Sequence, residues 1–410
     1  MTKRSLSTLR AMVRAIVAVP GLPLLVVAAL RSRRDTARRR RRGELPRLIW
    51  GPVPVISIKS WSQSLQALGY ESRTCVFTHY DINERSDFDV YYDEFLPRGI
   101  LFDPLRAYAV FLWVLRNADV YLSYFDGGFL QGTALRRLEL PLLRLAATKL
   151  IVSPYGSDIA VPEYLGVAAE RLIEDYPMIA TNGERVRRRV REFARWADLV
   201  VRNYQYGYMP RADVLWSTQM TLDTERWRPA PPTGNGDGQT GEAVVVLHAP
   251  NHRRIKGTDR LIEVVDRLAG EGLRVRLELI ERRPNSEVRD AITRADIVAD
   301  QFIAGYALFA VEGMAASRPV LSALSWMPAD VRADLDARGL PIVDADLETI
   351  EPALRRLIAD PQLRRTLGEA GRRFVLENDS YEAVGAVWDN LIRHVWAGEP
   401  LTQPALAAPD

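Results

Sequence analysis

The chain has 410 residues, of which 47% are hydrophobic and 26% charged, and its formal net charge is +3. This composition excludes a disordered chain, and the length suits two domains of ordinary size better than one core. A single cysteine, Cys75, excludes an internal disulfide and fits a reducing compartment; with four histidines at no ligand spacing, a zinc site is not expected.

Residues 11–30 read AMVRAIVAVPGLPLLVVAAL, a 20-residue apolar stretch whose one charge is Arg14. It is just long enough to span a bilayer. Between Arg31 and Arg42 follow eight arginines and one aspartate. Such a run resists translocation and attracts anionic headgroups at roughly 1 kcal/mol per basic residue. Residues 1–44 are therefore expected to direct the chain to the inner face of the cell membrane, with everything after residue 43 in the cytoplasm. Pro20 and Pro23 make an in-plane interfacial helix the alternative to a spanning one; a disordered basic leader is the third reading. Without the arginine block the chain is mildly acidic, and nucleic acid is not an expected partner.

Beyond residue 45, short apolar runs alternate with amphipathic segments. Strands are expected at 47–51, 73–78, 119–125, 149–153, 198–202 and 214–217, and helices at 58–68, 104–117, 130–147 and 184–196. Residues 228–241, RPAPPTGNGDGQTG, lack periodicity and read as a linker, placed at 228–242. The alternation then restarts. Strands are expected at 243–248, 275–281, 296–299 and 319–322, and helices at 258–268, 285–294 and 307–317. Three further helices close the chain, the last at 381–395. The pattern predicts an α/β chain of two doubly wound, Rossmann-like domains, 45–227 and 243–380, with ligands in the cleft at the carboxyl ends of the strands.

Two segments after the linker carry the densest chemistry. HAPNHRRIKG, residues 248–257, brings His252, Arg253, Arg254 and Lys256 to a strand's carboxyl end. Cations there can neutralise a diphosphate as its bond to sugar breaks; a solvated basic turn is the other reading. In AGYALFAVEGMAASRPVLS, residues 304–322, a Gly305–Tyr306 turn opens a helix that contains Glu312. A helix start suits phosphate, and a carboxylate one to two turns further in reaches a ribose diol. An exposed helical glutamate is the alternative, against which its apolar flanks argue.

Together these segments resemble the retaining glycosyltransferases of family 4, a large group of GT-B nucleotide-sugar transferases, over about 243–322. The resemblance implies a GT-B fold, a nucleotide diphosphate sugar donor held in the second domain, and no metal or other cofactor. It puts the family's diphosphate lysine at Lys256 and its ribose glutamate at Glu312. The companion arginine position is Asn251, so Arg253 and Arg254 are the candidate replacements. Gly305 and Tyr306 match the turn between the family's two glutamates, but the first glutamate, a sugar contact, is Ala304 here. Asp300 and Gln301 are the candidates to replace it.

The first half matches less closely. GPVPVISIKS, residues 51–60, stands where the family has a glycine-richer loop. FDGGFLQ (125–131) and SPYGSDI (153–159) follow strands and offer Asp126 and Asp158 as candidate contacts to the acceptor hydroxyl, in place of the family's histidine. Both are also suited to capping a turn, and His79 reads as structural. TLDTERWRP (221–229) is similar to the family's turn at the end of the first domain. By the same resemblance the last helix, 381–396, crosses back onto that domain. The expected function is sugar transfer to a lipid-linked or glycan acceptor. A catalytically silent partner in polysaccharide synthesis is the alternative, motivated by Ala304, and a GT-B sugar-nucleotide epimerase is the weaker third.

Overall fold

The computed structural model describes residues 3–80, 83–96, 102–166, 169–229 and 242–402. Most of the expected linker, residues 230–241, lies outside these. The first domain runs α1 (Lys3–Arg41), β1 (Leu48–Trp50), α2 (Ser57–Ala67), β2 (Ser72–Val76), β3 (Val90–Tyr91), α3 (Phe102–Asn117), β4 (Val120–Ser123), α4 (Glu139–Leu145), β5 (Lys149–Val152), α5 (Ala169–Asp175), α6 (Met178–Trp196), β6 (Leu199–Arg202) and β7 (Val214–Leu215). The second runs β8 (Val244–His248), α7 (Arg253–Lys256), α8 (Thr258–Gly270), β9 (Val275–Leu279), α9 (Asn285–Arg294), β10 (Ile297–Ala299), α10 (Leu308–Ala315), β11 (Val320–Ser322), α11 (Ala329–Ala337), β12 (Val343–Asp344), α12 (Ile350–Ala359), α13 (Pro361–Asn378) and α14 (Tyr381–Ala397).

Each domain is built on one parallel sheet. The first has the order β3-β2-β1-β4-β5-β6-β7 and the second β12-β11-β10-β8-β9. Helices cover both faces, so central strands such as β8 are buried at every residue. Local periodicity explains the helices: Leu261, Val264, Val265 and Leu268 on α8 are all buried. In each sheet the strand order reverses once, between β1 and β4 and between β8 and β10. The crevice outside the carboxyl ends at these points is where such sheets take ligands.

The chain crosses back at its end. Trp388 of α14 sits among Trp50, Trp61 and Trp216 of the first domain, with ring centroids 5.0, 5.2 and 5.2 Å away. Leu222 bridges Ser380 where the two connections pass.

One expectation is corrected and one is narrowed. The helix expected at 130–147 forms only from Glu139. Glu139 turns its buried carboxylate back to accept hydrogen bonds from the Phe129 and Leu130 amides at 2.8 and 2.7 Å. That holds the preceding segment as turns, and Gly132 at φ +88° fits no helix. The narrowing concerns residues 11–30, where the spanning alternative is the one that does not hold among the described residues. Leu25, Ala28 and Ala29 are buried in the first domain's core against α3 and α4. Among the described residues no helix is long and apolar enough to cross a membrane. The arginine block continues the same helix. Thr36 donates to Asp119 at 2.8 Å, while Arg39 and Arg47 pair with that carboxylate at 3.2 and 2.9 Å. Against the cost of burial, the hydrogen bonds and charge of Arg47 hold the Asp119 carboxyl below its ordinary range. Leu25, Ala28 and Ala29 are thus covered by protein, while Leu24, Val27 and Leu30 stay exposed.

Candidate active site

The second domain's reversal point is assembled from three strand ends. His248 ends β8 and is fully buried. Its Nδ1 meets the Ala299 carbonyl at 2.7 Å and its Nε2 the Thr258 hydroxyl at 2.8 Å. Burial lowers its pKa to about 4, so the ring is a neutral clamp joining β8, β10 and α8. After β8 the chain exposes Asn251 and His252, makes the single turn α7 and reverses at Gly257. Gly257 has φ +74°, and a Cβ there would lie 2.7 Å from Leu347 and 3.2 Å from Phe302.

This turn delivers Lys256 inward and Arg253 and Arg254 outward. Lys256 is buried, and its Nζ meets Asp300 Oδ1 at 2.7 Å. The other Asp300 oxygen accepts the Ala307 amide at 2.6 Å, directly before α10. Arg253 makes a two-pronged pair with Glu281, both contacts at 2.7 Å. Arg254 reaches across to α5 of the first domain, where it pairs with Glu174 and, at 3.3 Å, Asp175. Beside it, Tyr176 and His252 share a hydrogen bond of 2.9 Å. Each of the three loop cations thus already holds a carboxylate.

Gly305 and Tyr306 shape the turn into α10. Gly305 takes φ +68°, its amide donating to Ala323 O at 3.1 Å and its carbonyl accepting from Ser322 Oγ at 2.6 Å. Tyr306 is buried and stacks on Tyr204 of the first domain at 5.7 Å and 19°. Its hydroxyl has no hydrogen-bond partner among the described residues. Glu312 sits inside α10, 5% exposed, with Asn285 Nδ2 donating to it at 3.2 Å. Burial pushes its pKa up to about 8, opposed by Asn285 and by the nearby charge of Lys256. The exposed-glutamate reading of Glu312 fails on this geometry. Neither proposed replacement for the sugar-contacting glutamate is free: Asp300 has both oxygens engaged, and Gln301 donates to Ala304 O at 2.6 Å.

On the first domain's side, Gly51 follows β1 at φ +148°, where a Cβ would lie 2.1 Å from the Cys75 carbonyl oxygen. Only glycine allows this close passage. Asp126 follows β4 and is partly exposed. Tyr155 donates to one of its oxygens at 2.8 Å and Arg189 pairs with the other at 2.7 Å. Asp158 differs: it is fully buried and accepts from the amides of Phe125, Tyr155 and Gly156, each at 3.0 Å. Burial raises its carboxyl to about 7, opposed by those amides. Its carboxylate ties the two turns together and presents no oxygen to an acceptor; the turn-capping alternative describes it. His79 packs edge-on against Tyr91 at 5.8 Å.

Arg189, Tyr155, Asn285 and Glu281 carry no motif. Among the described residues no cluster of His, Cys, Asp or Glu is arranged to hold a metal ion.

No family model matches the chain, and no curated protein matches it in sequence. Solved structures do match in shape. The sucrose-phosphate synthase of Thermosynechococcus elongatus aligns with TM-score 0.54 at 15% identity over 86% of this chain and 99% of its own. HepE of Anabaena, solved with UDP and glucose, aligns with TM-score 0.53 at 14% identity over 84% and 98%. A glycosyltransferase of Rickettsia africae aligns with TM-score 0.51 at 9% identity over 86% and 98%. The chain has the two-domain GT-B fold. The likeness covers nearly the full length of each neighbour, so it takes in both sheets.

Proposed function

We propose that the chain is a retaining glycosyltransferase that moves a sugar from a nucleotide diphosphate sugar to a glycan or lipid-linked acceptor at the cytoplasmic face of the membrane. Glu312 carries this reading. It is a buried carboxylate with a single hydrogen-bond donor, beside the Lys256–Asp300 pair at the sheet's reversal point. A carboxylate buried with so few partners costs free energy, and that cost is offset when a ligand brings donors. A ribose diol brings two.

Lys256, with Arg253 or Arg254 turned inward, takes the diphosphate. These cations stabilise the charge that grows as the glycosidic bond breaks, the role a metal fills elsewhere. The Gly305–Tyr306 turn lies beside the phosphates at the start of α10. Asp126 faces the acceptor hydroxyl from the first domain, while Asp158 holds its turn. HepE was solved with UDP-glucose, which makes uridine nucleotides the first donors to test.

The test is calorimetric titration with UDP and GDP. One of them is expected to bind, and to bind more weakly to Lys256→Ala and Glu312→Ala; unchanged affinity in both variants overturns the site. Ala304 favours a second reading, a catalytically silent partner that binds nucleotide without turnover. Slow release of UDP from a UDP-sugar by the purified protein would eliminate it.

A further inference from the structure

Leu24, Val27, Arg31, Arg34, Arg38 and Arg41 follow one another at intervals of three or four residues, which puts them on a single face of α1. The stripe is about 26 Å long at 1.5 Å per residue. The opposite face, with Leu25, Ala28, Ala29, Ser32 and Thr36, is buried in the first domain. The stripe itself faces out. Leu24 and Val27 are 64% and 47% exposed, and the neighbouring Leu30 is 45% exposed. Arg31, Arg34 and Arg41 are exposed with no ion pair among the described residues, and Arg38 has only a loose one, 3.7 Å from Asp35. This contrasts with the loop cations at the reversal point, each of which is matched by a carboxylate.

We infer that this stripe is the surface by which the first domain lies on an anionic lipid bilayer. The inference deepens the membrane part of the proposed function and rests on that reading for its acceptor. The order along the stripe selects the partner. A nucleic-acid backbone matches the arginines but leaves the exposed leucines and valine in water. A bilayer takes both, apolar side chains among the acyl chains and guanidinium groups at the phosphates. The helix direction adds a consequence. Gly21 lies beside Tyr108 of α3, whereas Thr36 and Arg39 meet Asp119 at the amino end of β4. The apolar end of the stripe therefore lies toward the strands' carboxyl ends, where Asp126 sits. A lipid-linked acceptor entering from the bilayer arrives at that end.

The experiment is co-sedimentation of the full chain with phosphatidylcholine vesicles, with and without phosphatidylglycerol, at low and high salt. Binding is expected only with phosphatidylglycerol and is expected to weaken with salt. The variant Arg31→Gln/Arg34→Gln/Arg41→Gln should bind about 100-fold more weakly, at about fivefold per basic residue near an anionic surface. Leu24→Ser/Val27→Ser should also bind more weakly while keeping the salt dependence. All these positions are exposed, so unchanged melting temperatures and UDP affinities are expected. The inference is overturned if the chain binds neither vesicle, if the triple arginine variant binds like the parent, or if a DNA duplex is bound more tightly than the phosphatidylglycerol vesicles. A chain that binds vesicles but no nucleotide would sink the proposed function and leave the docking surface standing.

Discussion

Lys256 and Asp300 meet at 2.7 Å where the second sheet reverses its strand order, one after β8 and the other after β10. Asp300 also takes the Ala307 amide, so one carboxylate couples the diphosphate lysine to the start of the helix that carries Glu312. Removing it leaves a buried ammonium without its counter-charge. Asp300→Asn is expected to cost about 3–5 kcal/mol, as breaking a buried pair usually does. Urea denaturation measures this. Bound UDP should recover more stability in the variant than in the parent, because the diphosphate supplies the missing charge.

Glu312 makes stability depend on pH. Its folded-state pKa, about 8, lies above its ordinary 4.5. The folded chain therefore holds a proton that the unfolded chain has lost between these values, and stability falls as pH rises through this window. Asp158 and Glu139, both raised by burial to about 7, act in the same direction. Glu312→Gln cannot ionise. At pH 9 it is expected to be more stable than the parent by on the order of 2–4 kcal/mol, with little difference at pH 5. At pH 9, where the parent's carboxyl is ionised, its UDP affinity should drop roughly 10- to 100-fold through loss of a charged hydrogen-bond acceptor. Thermal melts across pH, paired with titrations, separate the two effects; a variant less stable at pH 9 refutes the burial argument.

Arg253 is held by Glu281 at the surface of the site. If diphosphate competes for the same guanidinium, Glu281→Gln should tighten UDP binding a few-fold, and the gain should shrink as salt is raised. Calorimetry at two salt concentrations is the check. An affinity that is unchanged at low salt removes Arg253 from the donor site.

Adjacent leucines test the role of α1. Leu25 is 2% exposed and Leu24 is 64% exposed. Leu25→Ala is expected to cost about 2–5 kcal/mol, as large-to-small changes in packed cores do. Leu24→Ala should stay within about 0.5 kcal/mol. Equal effects in denaturant melts would mean that α1 is not part of the folded domain.

Much of this architecture is legible in local pattern. The strand–helix alternation, the restart after the linker, and segments such as α9 and β8 follow from periodicity, because burial on one face writes itself into neighbouring residues. Residues 130–138 mislead for the same reason. Their spacing imitates a helix, but Glu139 claims the amides at the segment's start, a contact no periodicity records. The apolar run at 11–30 carries a different kind of information. Hydrophobicity reports that a surface must leave water and is silent on whether protein or lipid covers it.

The amino-acid sequence by itself determined the two α/β domains, the basic turn ending at Lys256 and Gly257, and the placement of Glu312 in a helix with apolar flanks. These rest on residues close together in the chain. Only the tertiary structure decided that Lys256 is paired with Asp300, that Arg254 reaches Glu174 across the domains, that Asp158 is a buried clasp while Asp126 is partly exposed and paired with Arg189, and that α1 packs one face and shows a basic one. These contacts join residues dozens of positions apart. Whether a charge is solvated, paired or sealed depends on what the fold brings beside it.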